Sequence, residues 1–197
     1  VSILPGMAQT EKLTDYVNPF VGTDGYGNVY PGAQIPFGGI QISPDTDSRF
    51  YDAASGYKYN HLTLMGFSLT HLSGTGIPDL GDFLFIPGTG EMKLEPGTHE
   101  DPDQGYRSRY SHDKEWASPN YYAVELADYG VKAEMTSGVR SGMFRFTYPE
   151  SDNAFIMIDM NHTLWQSCEW SNLRMINDST ITGYKLVKGW GPERHVY

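Results

Sequence analysis

Apolar and polar positions alternate with a period of two along much of the chain. Gly39-Ile-Gln-Ile-Ser43 alternates, and so does Gly66-Phe-Ser-Leu-Thr-His71. In the second segment Phe67 and Leu69 share one face and Ser68 and Thr70 the other. Side chains two apart on a strand point the same way, so this pattern predicts half-buried strands. Three stronger segments follow at Tyr121–Leu126, Val131–Thr136 and Gly142–Tyr148. Ala127-Asp-Tyr-Gly130 joins the first two as a hairpin connection. Phe83-Leu-Phe-Ile86, closed by Pro87-Gly88, and Ala154–Asp159 are continuous apolar runs, the mark of strands buried on both faces. Ser179–Tyr184 and Arg194–Tyr197 are further strand candidates. Tyr51, Tyr57 and Tyr59 stand at odd positions in a less regular stretch. The charged segment Arg107–Glu115 reads as a short exposed helix. Eight or more short strands at close spacing predict an all-β fold, an antiparallel β-sandwich. No internal repeat or low-complexity linker divides residues 14–197, so one domain is expected there.

Residues 16–44 are dense in turn signals: Asn18-Pro19, Gly22, Asp24-Gly25, Gly27-Asn28, Pro31-Gly32, Pro36 and Gly38-Gly39. So long a segment of turns is expected to be functional or to lead into the sheet. The 197 residues include 22 Gly and 12 Pro, which suits many turns and argues against a helical bundle. Aromatic residues make up 14% of the chain, too many for a disordered polymer. The net charge of −10, with no Lys or Arg cluster, argues against nucleic acid and anionic membranes as partners. Neutral polar ligands such as sugars fit this balance. Cys168 is the single cysteine, so no disulfide can form within the chain. Val1–Ala8 is apolar and ends in small residues, which reads as a signal-peptide remnant or a terminus without order over residues 1–13. No apolar run reaches the ~20 residues of a membrane span. Tyr197 falls inside an apparent strand, which reads as a chain cut from something longer.

The richest chemistry lies in His71-Leu-Ser-Gly-Thr-Gly-Ile-Pro-Asp-Leu-Gly-Asp82. Its glycines allow close backbone approach to a ligand. Ser73, Thr75, Asp79 and Asp82 supply polar groups and His71 a titratable ring. No Lys-Ser/Thr pair follows the glycines, a third dinucleotide-binding glycine is missing, and no Gly-X-Ser-X-Gly elbow occurs. A tight turn capped by Asp79 or Asp82 accounts for the same residues. Two acids three apart are weak grounds for a catalytic pair. Asp45, Asp47, Asp101 and Asp103 read as turn formers. The six histidines show no zinc spacing. Asn161, His162 and Trp165 follow a buried strand, where an indole suits stacking on a sugar, although Trp165 and Trp170 also suit packing.

Several ordered motifs carry a family resemblance. They are Tyr16-Val-Asn-Pro-Phe-Val-Gly-Thr-Asp24, Tyr30-Pro-Gly-Ala33, Ile35-Pro-Phe-Gly38, Gln41-Ile-Ser-Pro-Asp45 and Gly56-Tyr-Lys-Tyr59. Gly66–Gly76, Asp79-Leu-Gly-Asp82, Ala117–Tyr122, Ala133–Thr136 and Lys188-Gly-Trp-Gly191 to Tyr197 follow in order. Across residues 14–197 the chain resembles the N-terminal domain of glycoside hydrolase family 92, the calcium-dependent exo-α-mannosidases. The resemblance implies a supersandwich-like β domain of a secreted or periplasmic enzyme that trims terminal mannose from glycans with inversion. It also implies a larger helical barrel beyond this chain. That barrel would supply the catalytic acid, the base and most calcium ligands, so this portion would carry no catalytic residue and no metal ligand. The sandwich would form one wall of the mannose pocket. Phe20, Gly22, Thr23 and Asp24 are the expected contacts in one loop, His71, Ser73, Gly74, Thr75 and Asp79 in a second, with Trp165 beside them. The alternative is a stand-alone carbohydrate-binding or interaction module.

Overall fold

The Tyr121–Ser137 region shows how alternation becomes a layer. Strands β6 (Glu115–Ser118), β7 (Tyr121–Leu126), β8 (Val131–Ser137) and β9 (Gly142–Thr147) form one antiparallel sheet in that order. The register pairs Tyr122 with Met135, Val124 with Ala133 and Leu126 with Val131. All six are buried, because each occupies the same face of its strand. Phe144 and Phe146 of β9 join this face. The 127–130 connection turns the chain as the hairpin reading predicts.

A second antiparallel sheet runs β1 (Ser43–Asp45), β3 (Gly66–Ser68), β4 (Leu84–Thr89), β10 (Ala154–Asp159). Phe67 of β3 is fully buried and lies 6.4 Å from the Phe144 ring and 6.3 Å from Phe146. Phe85 of β4 lies 5.0 Å from Phe144. These aromatic rings bridge the two sheets, so the hydrophobic layer between them is the sandwich core. A two-stranded ribbon joins β2 (Thr63–Leu64) to β5 (Ser108–Arg109). A third sheet is formed by β11 (Ser167–Asn177), β12 (Thr180–Lys188) and β13 (Arg194–Val196).

The computed structural model describes residues 11–48 and 51–197. The expectation for residues 1–13 therefore falls, up to residue 10, outside the described residues. Among the described residues the helical turns are all 3-10. The all-β, antiparallel reading holds.

Three elements differ from the sequence expectation. Arg107–Glu115 is not an exposed helix. It contains β5 and a 3-10 turn at His112–Lys114, and β6 starts at its last residue. Arg107 and Glu115 are both buried, Arg107 donating to the Thr46 carbonyl at 2.5 Å. The two end charges are buried and paired, while Arg109, Asp113 and Lys114 between them are exposed. Strand β4 continues through Pro87-Gly88 to Thr89, because Pro87 lies where β4 is paired with β10 alone. A position paired on one side tolerates a residue without an N–H. Strand β11 had no sequence signal. Register shifts at Cys168/Trp170 and Met175/Asn177 break its alternation.

Replacing the inter-sheet anchor should be costly. Phe67→Ala is expected to lose ~3–5 kcal/mol of unfolding free energy. Met143→Ala, on the exposed side of β9, should stay within about 0.5 kcal/mol. Urea unfolding of both variants checks this, and equal losses would refute the core assignment.

Candidate functional site

The two loops singled out in the sequence are joined to each other and to a tyrosine-rich floor. Thr23 donates from its hydroxyl to the Phe20 carbonyl at 2.8 Å, closing the 20–24 turn. The Tyr59 amide donates to the Thr23 carbonyl at 3.0 Å. The Phe20 ring sits 5.8 Å from Tyr59, edge to face. Tyr59 in turn stacks on His112 at 3.9 Å. His112 Nδ1 lies 2.6 Å from the buried Glu115 carboxylate, which also accepts from the Tyr57 and Tyr122 hydroxyls. The 71–82 loop is closed by Leu69 donating to Asp82 and Gly81 to Thr70, with a His71–Leu80 bridge. Gly74 then donates to the Asn28 carbonyl at 2.7 Å, tying the loops together.

Beneath the second loop lies an ionic clamp. Asp45 is fully buried at the end of β1. One carboxylate oxygen lies 2.7 Å from His71 Nε2 and the other 2.7 Å from His162 Nε2. His71 Nδ1 lies 2.7 Å from the Gln41 carbonyl. Both ring nitrogens of His71 thus face acceptor oxygens. Burial pushes the Asp45 carboxyl up, but the charges and hydrogen bonds of His71 and His162 outweigh this and hold it well below the usual range. Gly56 leaves the space that the carboxylate occupies: its φ is +82, and a Cβ there would lie 2.1 Å from Asp45 Oδ1.

A second clamp lies on the far side of the loop. Asp82 is fully buried and accepts from Arg194 at 2.5 Å and Thr70 at 2.8 Å, with Lys185 Nζ 3.2 Å away. Burial opposes its ionisation, yet Lys185 and Arg194 keep its carboxyl below the ordinary value. Lys185 also donates to the His162 carbonyl at 2.6 Å, so the two clamps share one segment. Arg194 extends to Gln166 at 3.1 Å and to Asp79 at 3.6 Å, and Gln166 donates to Asp79. Asp82 is thus sealed from solvent, and Asp79 shares its arginine. The two cannot act as an acid and base on opposite faces of a sugar.

The backbone here is strained. Leu80, Phe83 and Trp165 have φ of 72, 56 and 74. Bulky residues rarely adopt positive φ, at roughly 1–3 kcal/mol each, and persist there only when neighbours over-determine them. Leu164 donating to Leu80 at 3.0 Å ties two of these positions together.

The expected contact residues fall into two groups. Gly22, Asp24, Ser73, Gly74 and Trp165 are exposed, and Phe20, Thr75 and Asp79 are partly so. His71 and Thr23 are buried, so they position loops and do not face a ligand. The 20–24 loop meets the 71–82 loop through Asn28. Trp165 meets Asp79 through Gln166. Asp45, Lys185, Arg194 and Gln166 carry the site without a local signal, and the pairing of His162 has none either, since Asp45 and His162 are 117 residues apart and Asp82 and Arg194 are 112. Among the described residues no three His, Cys, Asp or Glu side chains are grouped to hold a metal ion.

The fold matches known proteins. Residues 16–197 match the glycosyl hydrolase family 92 N-terminal domain. The chain belongs to this family. It is similar to the solved family 92 glycosyl hydrolase ccman5, with 29% identity and a TM-score of 0.73 over 90% of this chain and 24% of that one. It is also similar to the family 92 inverting mannosidase BT2199 of Bacteroides thetaiotaomicron, with 25% identity and a TM-score of 0.68 over 89% of this chain and 23% of that one. An uncharacterized secreted glycosidase of Arthroderma benhamiae is 30% identical over 139 residues, which are 70% of this chain and 17% of that protein. The chain therefore spans less than a quarter of these relatives.

Two acid windows should appear in the unfolding free energy. Burial and the neighbouring His99 lower His61 from 6.5 to about 4. The unfolded chain binds that proton first, so stability should fall as pH drops from 6.5 to about 4. Asp45 and Asp82 have depressed carboxyls, so their contribution is present above pH 3.8 and lost below it. His61→Gln should flatten the upper window alone. Asp45→Asn should weaken the lower one and lose roughly 3–5 kcal/mol at neutral pH. Denaturant titrations across pH check both; an unchanged upper window in His61→Gln would contradict the burial of that ring, and an unchanged lower window in Asp45→Asn would contradict the clamp.

Proposed function

We propose that this chain is the N-terminal sandwich domain, residues 14–197, of an inverting exo-α-mannosidase that removes terminal mannose from glycans. In this reading it forms one wall of the sugar pocket. The observation that carries it is the convergence of strained, clamped loops on Asp79, Gln166 and Arg194 beside the exposed indole of Trp165. Fixed polar groups beside an aromatic face suit a neutral sugar, whose hydroxyls need partners and whose C–H faces need apolar contact. The family and the activity of a relative, an inverting mannosidase, support the reaction class.

The reaction needs an acid and a base on opposite sides of the sugar. The buried Asp82 and its partner Asp79 do not meet that need, and the family resemblance implies that a helical barrel beyond this chain supplies both catalytic groups. The same resemblance implies that calcium would be held there too. The protein acts on glycans outside the cytoplasm, secreted or periplasmic. In this domain Asp24, Ser73, Gly74, Thr75 and Asp79 face the pocket. Phe20, Gly22, Thr23 and His71 hold the loops in shape.

The test is kinetic, on the full-length enzyme with an aryl α-mannoside. Asp79→Ala and Asp24→Ala should each lower kcat/KM by about tenfold or more, roughly 1.4 kcal/mol of transition-state binding. Their melting temperatures should stay near that of the parent. Full activity in both would make these loops structural turns.

A further inference from the structure

The exposed 20–25 loop takes its shape from the segment it lies against, residues 57–59. The Tyr59 amide donates to the Thr23 carbonyl at 3.0 Å, and Lys58 Nζ donates to the Gly25 carbonyl at 2.6 Å. The Phe20 ring packs on Tyr59 at 5.8 Å and on Tyr57 at 6.5 Å. Val21, Gly22, Asp24 and Gly25 are exposed, and the two glycines have φ of 86 and 60. A loop with so little buried surface keeps one shape only against a fixed template. The template is itself fixed from below. Tyr57 donates from its hydroxyl to the Glu115 carboxylate at 2.9 Å, and His112 Nε2 lies 2.7 Å from the Tyr59 carbonyl. His112 Nδ1 lies 2.6 Å from the same carboxylate, and the imidazole stacks flat on the Tyr59 ring at 3.9 Å and 5°. One carboxylate thereby holds both ends of the segment.

We infer that Glu115 and His112 are positioning residues: they brace the 57–59 segment and, through it, hold the 20–25 loop in the shape that presents Asp24. The inference rests on the pocket-wall reading for what Asp24 meets, and adds the residues that set where it stands. Packing alone does not call for this arrangement. The Glu115 side chain is 1% exposed, and a carboxylate at that depth is costly to desolvate where an apolar side chain of similar volume is not. Three partners satisfy it: Tyr57, His112 and Tyr122, the last donating at 2.5 Å. Local structure delivers the imidazole. The 3-10 turn His112–Lys114, capped by the Ser111 side chain accepting from the Asp113 amide, brings residues three apart to one side. Both ring nitrogens of His112 face acceptor oxygens, so the ring links the carboxylate to the backbone of Tyr59. Tyr110 stands edge-on to that ring at 5.5 Å and donates to the His61 carbonyl, just beyond the braced segment. At the loop, Asp24 Oδ1 accepts from the Gly25 amide at 2.7 Å, so the backbone held by residues 57–59 also orients this carboxylate. The brace shares no residue with the Asp45 or Asp82 clamp, which gives the 20–25 loop a support of its own.

The experiment is a double-mutant cycle on the full-length protein, read as kcat/KM for an aryl α-mannoside and as amide hydrogen exchange across residues 20–27. His112→Ala should lower kcat/KM about tenfold in the parent but no more than about twofold in the Asp24→Ala background, because it acts through Asp24. It should also speed exchange across residues 20–27. His112→Phe keeps a stacked ring without either hydrogen bond and should lose about as much, whereas His112→Gln retains a donor for the Tyr59 carbonyl and should recover part of the loss. An equal loss in both backgrounds would mean that His112 acts on the fold at large, and would overturn the inference. Parental kcat/KM and parental exchange in His112→Ala, with Asp24→Ala impaired, would also overturn it and leave the pocket-wall reading standing. Faster exchange in His112→Ala with parental kcat/KM in Asp24→Ala would support the brace and overturn the pocket-wall reading of this loop.

Discussion

A carboxylate removed from water between two imidazole rings sets the shape of this domain. Asp45 ends the short strand β1, His71 opens the glycine-rich loop, and His162 begins the turn before the long hairpin. Each belongs to a different part of the chain, and each would be costly to bury alone. An unpaired buried charge costs several kcal/mol, so the three must fold together or not at all. The clamp does more than hold three segments. It fixes where the 71–83 loop and the 161–166 turn begin, and those two stretches contain the strained Leu80, Phe83 and Trp165.

Strain and function are connected through this arrangement. Leu80, Phe83 and Trp165 would relax to ordinary backbone conformations if their ends were free. The Asp45 clamp holds one end of each stretch. The Asp82–Lys185–Arg194 clamp holds the other end of the loop and, through Lys185, the His162 carbonyl. Side chains between the clamps are left to face outward: Ser73, Thr75, Asp79 and Trp165. A pocket wall for a sugar needs this division, with buried charge supplying rigidity and short polar groups supplying contacts.

The fold was largely legible because its central strands alternate without interruption. Val131, Ala133 and Met135 against Lys132 and Thr136 predict the sheet face that forms. The loops at 20–24 and 71–82 were also legible, since glycines beside short polar residues are a local signal. The clamps were not. Asp45 resembles any turn-forming aspartate, and its two partners lie 26 and 117 residues away. His71 stood out as a ligand contact, whereas the structure buries it as a positioning residue. Arg107 and Glu115 resembled a solvated face, yet each pairs inside the protein. Strand β11 escaped notice because two bulges displace its alternation. Local pattern reports which face a side chain takes, while ion pairs between distant residues are fixed only by the completed topology.

The most direct measurement is a crystal structure of the full-length protein with a non-hydrolysed α-mannoside bound. The account predicts the sugar within hydrogen-bond reach of the 71–79 loop or stacked at Trp165, with Asp45 still bridging His71 and His162 below. A sugar bound away from both loops, or one that reaches His71 after the clamp has opened, would contradict it.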